Sequence, residues 1–158
     1  MKKFTYSYLI LLLFLFALFY WERSPVADFV NHIQTQLTLY FLEMGLEEGQ
    51  LRGIDIWINP YYKIIITKAC NGMIPILVLW AAIVSYPVGW VYTIWWAVAG
   101  YFVLTTINIA RLFMVAYFVK EQPDFPLYHD LFGNILLMIT GLMLFYLFLR
   151  GARSETRA

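Results

Sequence analysis

Between Trp90 and Val119 the chain runs for 30 residues without a proline and with one charge, Arg111. As a helix rising about 1.5 Å per residue, the stretch to Asn108 alone covers about 27 Å, close to the roughly 30 Å hydrocarbon layer of a bilayer. The remainder must emerge or lie at the interface. Composition agrees, with 62% hydrophobic and 13% charged residues, against about 45–50% and about 25% in ordinary soluble domains. A net charge of +1 and the lack of a basic stripe interleaved with aromatics give no reason to expect a nucleic-acid partner.

Three further apolar runs accompany it. Met1-Lys2-Lys3 precedes a 17-residue run, Phe4 to Tyr20, longer than the roughly 7–15 residues of a signal-peptide core and without a convincing small-x-small cleavage site. It reads as an uncleaved first transmembrane helix. Residues 72–86 are apolar, with Pro75 tolerable in a first turn and Pro87-Val88-Gly89 as the stop. Residues 131–149 form the last run. The expected fold class is therefore an all-α membrane protein, one domain over 1–158. It would have about four transmembrane helices, at about 4–20, 72–86, 90–109 and 131–149.

Residues 21–69 form the expected outer-face segment. Ser24-Pro25 starts a helix with Phe29, Ile33, Leu37, Tyr40 and Phe41 at helical spacing. That is an amphipathic helix lying on the membrane surface or against the other helices. His32, among Asn31, Gln34 and Gln36, reads as part of its solvated face. Ile54, Ile56 and Ile58 then alternate with Asp55 and Trp57. A turn at Asn59-Pro60 and the β-branched stretch to Thr67 complete a short hairpin that delivers the chain to Cys70.

Four crossings put both termini on one side, with five basic residues (Lys2, Lys3, Arg150, Arg153, Arg157) against Glu155. The other side holds six basic and nine acidic residues. Positive-inside counting then makes the termini cytoplasmic. The expected location is a cell inner membrane, multi-pass, with the opposite ends of the helices facing the periplasm or exterior.

Those opposite ends carry the chemistry. Cys70 is the chain's one cysteine, so it can form neither an internal disulfide nor a CxxC pair, and a zinc site would lack its usual thiolates. No metal or cofactor is expected. The thiol is either a packed small hydrophobe or a single reactive group. A thiolate nucleophile needs a base or nearby positive charge, and His129 can serve as acid–base partner. Arg111 is costly near lipid unless paired or aimed at a cavity, and it can stabilise a thiolate or an oxyanion. Asn108, three residues earlier, shares its helical face and can orient it. Asn71 and Gly72 add polar contact and close backbone approach beside the thiol. Each has a plain reading too, as packing residue, snorkelling arginine, solvated histidine or helix-bridging amide. Their coincidence at one face favours chemistry.

At these positions the sequence resembles the exosortase/archaeosortase family of membrane-embedded cysteine transpeptidases. The resemblance rests on Ala69-Cys70-Asn71-Gly72, Asn108-Ile109-Ala110-Arg111, and His129 with Gly133 after it, over roughly residues 65–150. Lys68 stands where many members have glutamate, and the chain is shorter than many, like a compact exosortase of the H type. The resemblance implies Cys70, Arg111 and His129 as catalytic residues, with Asn108, Asn71 and Gly72 supporting. It implies exported protein substrates bearing a C-terminal signal of short motif, transmembrane helix and basic tail. These would be cleaved through a thioester and passed to an acceptor (water, a lipid or a glycan), with membrane lipid around the site. A non-catalytic membrane scaffold or partner protein is the rival from another class, and a small transporter a further one.

Overall fold

The structure, a computed structural model, describes residues 2–155. Arg157 of the basic tail lies outside them, as do the side chains of Lys2, Arg153 and Glu155. The chain forms α1 (Lys2–Phe19), α2 (Pro25–Gly45), β1 (Leu51–Arg52), β2 (Asp55–Asn59), β3 (Tyr62–Ile65), α3 (Met73–Val84), α4 (Trp90–Phe118) and α5 (Asn134–Glu155). A 3₁₀ turn, Lys68–Cys70, precedes α3. A second one, Gln122–Asp124, and a π-helical segment, Pro126–Gly133, precede α5.

Local chemistry explains the breaks. Ser24 is the N-cap of α2, its hydroxyl accepting from the Ala27 amide at 3.3 Å, with Pro25 in the first turn. There the missing N–H costs nothing. β2 and β3 pair antiparallel as the expected hairpin, and β1 adds a third strand on the β2 edge. Ile56, Ile64 and Ile66 point inward from this sheet and pack with Leu42 of α2 and Leu112, Val115 and Ala116 of α4. A second core gathers α3 (Ile76, Leu77, Ile83) with Leu104, Leu137 and Phe148. Cys70 sits where the chain passes from the first core to the second.

Four transmembrane helices are not what the chain builds, and with them falls the all-α description. Among the described residues two helices are long and apolar enough to cross a membrane, Trp90–Phe118 and the continuous rod Gln122–Ala152. The apolar helices Lys3–Phe19 and Met73–Val84 are shorter. α3 is the clear case, because its 12 residues span about 18 Å, against roughly 30 Å of hydrocarbon. Its apolarity has another cause. Met73, Ile76, Leu77, Leu79, Ala81 and Ile83 are buried against neighbouring helices, and a helix hydrophobic all round is as much the mark of a protein core as of a membrane span. The charge count that assumed four crossings loses its premise.

α2 overturns the expectation that Asn31 and Gln34 share a solvated face with His32. Its inward stripe is Ala27, Asn31, Gln34, Thr38 and Leu42, while Phe29 is 67% and Ile33 50% exposed, with Tyr40, Phe41 and Met44 also outward. The buried stripe includes three polar residues, while these apolar residues lie outward beside Asp28, His32, Gln36 and Glu43. Asn31 and Gln34 are thus interior residues, whereas His32 is exposed.

Candidate active site

The backbone first brings Cys70 into place. The Lys68–Cys70 turn closes with the Cys70 amide donating to the Thr67 carbonyl at 2.9 Å. Gly72 follows at φ +78° and serves as N-cap of α3, a left-handed conformation that costs an L side chain about 1–2 kcal/mol. Space forbids a side chain as well, since a Cβ at 72 would lie 2.8 Å from Asn108 Cγ. α4 passes directly behind this turn, and Asn108 Nδ2 donates to the Cys70 carbonyl at 2.8 Å.

Arg111 and His129 complete the group. The Cys70 Sγ lies 3.6 Å from His129 Nε2 and 3.7 Å from Thr67 Oγ1. Arg111 Nη2 is 2.9 Å from His129 Nε2 and donates to the His129 carbonyl at 3.2 Å, while Nη1 donates to Asn108 Oδ1 at 3.3 Å. His129 Nδ1 faces Asp130 Oδ1 at 2.8 Å. That contact assigns the Nδ1 proton, leaving Nε2 as acceptor toward the thiol and the guanidinium. Phe125 stacks on the imidazole at 4.5 Å between centroids and holds the ring plane. The π-helical segment that carries His129 is a rare geometry, frequent at functional sites. Gly133 ends it, and a Cβ there would strike Arg111 Cγ and Cδ at 2.8 Å and Nε more closely still.

All six residues expected at the site are therefore in one contiguous cluster. Asn71 and Asn108 are fully buried, Arg111 is 3%, Cys70 6% and His129 8% exposed. Among the described residues no carboxylate lies within ion-pair distance of Arg111. Burial pushes the Cys70 thiol up, but hydrogen bonds from the His129 side chain and from Thr67, with the His129 charge behind them, outweigh it and lower the thiol to about 7. A group of this kind can hold a thiolate at neutral pH, with an imidazole able to take and return a proton.

No family model, curated protein or solved structure matches the chain. The site must be argued from its own geometry, and that geometry includes an approach. A cavity of about 570 Å³ opens between α1, α3 and α5. Ala69, Gly72 and Arg111 line it beside the thiol, and Phe4 and Phe145 line it at the far end, where their rings stack. Its walls are otherwise largely apolar, Ile74, Val78 and Met138 among them. Lys68 stays outside the cluster, paired at 3.0 Å with Glu22 and set over the Tyr20 ring.

Sequence reasoning missed Thr67, Phe125 and Asp130 around the dyad, and Asn31 and Gln34 behind Asn71. The last two carried a legible signal. Asn31, Gln34 and Thr38 fall on one helical stripe of an otherwise apolar chain, and polar groups kept inside such a chain are held there by partners.

Proposed function

We propose that this protein is a membrane-associated cysteine transpeptidase of the exosortase kind, cleaving exported proteins near a C-terminal membrane-anchoring signal. One observation carries the reading. Three separate chain segments bring a thiol and a buried guanidinium into contact with one imidazole, and among the described residues no carboxylate forms an ion pair with the guanidinium.

The chemistry follows from the contacts. Cys70 passes its proton to His129 Nε2, and the imidazolium keeps its Nδ1–H toward Asp130. The thiolate attacks the scissile carbonyl carbon, forming a C–S bond and a tetrahedral oxyanion. Once Nε2 carries the thiol proton it no longer accepts from Arg111 Nη2, so the desolvated guanidinium is released to donate to the oxyanion. Collapse breaks the C–N bond, and His129 returns its proton to the leaving amine. The thioester is then resolved by an acceptor hydroxyl or amine, or by water. The apolar cavity reaching Arg111 supports a substrate whose signal includes a hydrophobic stretch, and tethering in one bilayer raises its effective concentration.

The location consistent with this reading is a cell inner membrane, with the catalytic end of α4 and α5 on the outer face. The α5 end bearing Arg150 then lies on the cytoplasmic side, as does the α1 end bearing Lys3, brought there by the stacking of Phe4 on Phe145. That orientation satisfies the preference for basic residues inside.

C-terminal proteomics of native cells carrying wild type or Cys70→Ala at equal abundance tests the proposal. A set of exported proteins should keep a hydrophobic C-terminus in Cys70→Ala, Arg111→Ala and His129→Ala cells and lose it in wild type. If no protein changes while the variants remain folded in the membrane, the enzyme reading fails and a scaffold replaces it.

A further inference from the structure

Asn71, the residue after the thiol, is gripped from a helix that contributes nothing to the dyad. Its Nδ2 donates to Asn31 Oδ1 at 2.9 Å, and its carbonyl accepts from Gln34 Nε2 at 3.2 Å. Its own Oδ1 accepts from the Met73 amide at 3.0 Å, starting α3. The two α2 amides are themselves held. Asn31 Nδ2 donates to the Phe19 and Ala27 carbonyls, both at 2.7 Å. Gln34 donates to Thr105 Oγ1 at 3.2 Å and accepts from the Tyr101 hydroxyl at 2.6 Å.

A buried carboxamide costs about 1–3 kcal/mol wherever it lacks partners, and in an apolar core a leucine would pack at no such cost. The arrangement of partners, not their number, is informative here. Two consecutive carbonyls beside the nucleophile, those of Cys70 and Asn71, are each held by a side-chain amide, Asn108 from α4 and Gln34 from α2. The turn is clamped between the helix that carries Arg111 and the helix whose buried stripe holds Asn31 and Gln34. The Cys70–His129 contact at 3.6 Å is near the outer limit for a sulfur hydrogen bond, so a small slip of the turn breaks it.

We infer that Asn31 and Gln34 are positioning residues that fix the Cys70 turn against His129, and that α2 carries a polar stripe inward to supply them. The inference rests on the reading of Cys70 as nucleophile, and the test separates the two.

The chain's single cysteine makes the test direct. The purified full-length protein in detergent is alkylated with iodoacetamide across pH 5.5–9.5, and the midpoint of the rate profile is read. Wild type should titrate near pH 7. Gln34→Met and Asn31→Leu should move the midpoint up by about one unit or more, toward the ordinary thiol range near 8.5. The midpoint is the better readout than the rate at pH 7. A one-unit shift cuts the thiolate fraction at pH 7 about fivefold, but the more basic thiolate is about threefold more nucleophilic, which hides most of the change. Tyr92→Phe removes a hydrogen bond to the Phe148 carbonyl, outside this network, and should lower thermal stability while leaving the midpoint in place. If a leucine at 31 does not yield folded protein, Asn31→Ser, which also removes the acceptor for Asn71, is read instead. A wild-type midpoint near 8.5 sinks the nucleophile reading itself. A wild-type midpoint near 7 that Gln34→Met and the position-31 variant leave unmoved overturns the positioning role. So does a Tyr92→Phe shift equal to theirs, which would mean general loosening.

Discussion

Gly133→Ala is the sharpest single perturbation of the site, because one methyl meets one side chain. The new carbon would lie 2.8 Å from Arg111 Cγ and Cδ and closer still to Nε, where ordinary contact begins at 3.4 Å, so the arginine must retreat by at least about 0.6 Å. It cannot swing freely, because both terminal nitrogens are engaged, on Asn108 and on His129. A retreat of that size takes the 2.9 Å contact with His129 Nε2 to the edge of hydrogen-bond range. Misplacement by 1 Å can cost about 10²-fold in rate, so roughly tenfold slower processing is expected. Stability supplies an independent readout. Alanine gains about 0.8–1 kcal/mol over glycine in a helix interior, offsetting part of a clash that costs about 1–3 kcal/mol. In an Arg111→Ala background the clash disappears and only the gain remains. A double-mutant cycle by thermal unfolding should therefore show coupling of at least about 0.5 kcal/mol between 111 and 133. Additive effects in the cycle, together with wild-type processing by Gly133→Ala, would refute the claim that Gly133 exists to seat Arg111.

Other expectations follow from the same contacts. His129→Ala removes the largest influence lowering the Cys70 thiol, so the alkylation midpoint should rise from near 7 into the ordinary thiol range. Because the folded thiol titrates below the unfolded one, thiolate formation favours the folded state. Its contribution is fully present above the unfolded value and is lost as pH falls through about 7. The melting temperature of wild type minus that of Cys70→Ala should accordingly increase between pH 6 and 9. Gly72→Ala must adopt φ +78° and press on Asn108, so it should cost at least about 2 kcal/mol by thermal unfolding, more than a helix-interior exchange. Phe29→Glu lies on the outward face of α2 and should change stability in detergent by no more than about 0.5 kcal/mol. It should nonetheless reduce recovery in the membrane fraction, and unchanged partition would mean that this face is not lipid-covered.

The residues around Cys70 were legible because polar groups are expensive in a chain this apolar. Arg111, Asn108 and His129 each needed a reason, and the structure brings all three within contact of the Cys70 turn. The span count was not legible, for a physical reason. Hydropathy measures distance from water and does not say whether lipid or protein replaces it, so Met73–Val84, a 12-residue core helix, reads like a crossing. The same ambiguity affects α2. Grouping Asn31 and Gln34 with the solvated His32 presumes water on that side, whereas both amides face the protein. Asn31, Gln34 and Thr38 carry the contrary signal, a polar stripe at helical spacing. The π-helical segment before α5 had no counterpart in the pattern, since Pro126 and Gly133 punctuate it without declaring its pitch.

The electrostatics of the cluster explain why these parts belong together. A buried guanidinium is strongly unfavourable unless an opposite charge or several acceptors meet it. Arg111 has acceptors in Asn108 and His129, and among the described residues no carboxylate forms a direct ion pair with it, the Asp130 charge acting from beyond the imidazole. Asp130 is more than half exposed and touches the imidazole, not the arginine. The one group in the cluster that can become an anion without leaving the core is the Cys70 thiol, one imidazole away. Cation and latent anion therefore stabilise each other through His129, and deprotonating the thiol relieves the arginine as much as the arginine favours the thiolate. A purely structural arginine would be served better by a buried aspartate, which this cluster lacks. In the proposed reaction, pairing it with a thiol would leave the counter-charge free to depart in a bond to carbon. The same guanidinium would then stand beside the newly formed oxyanion.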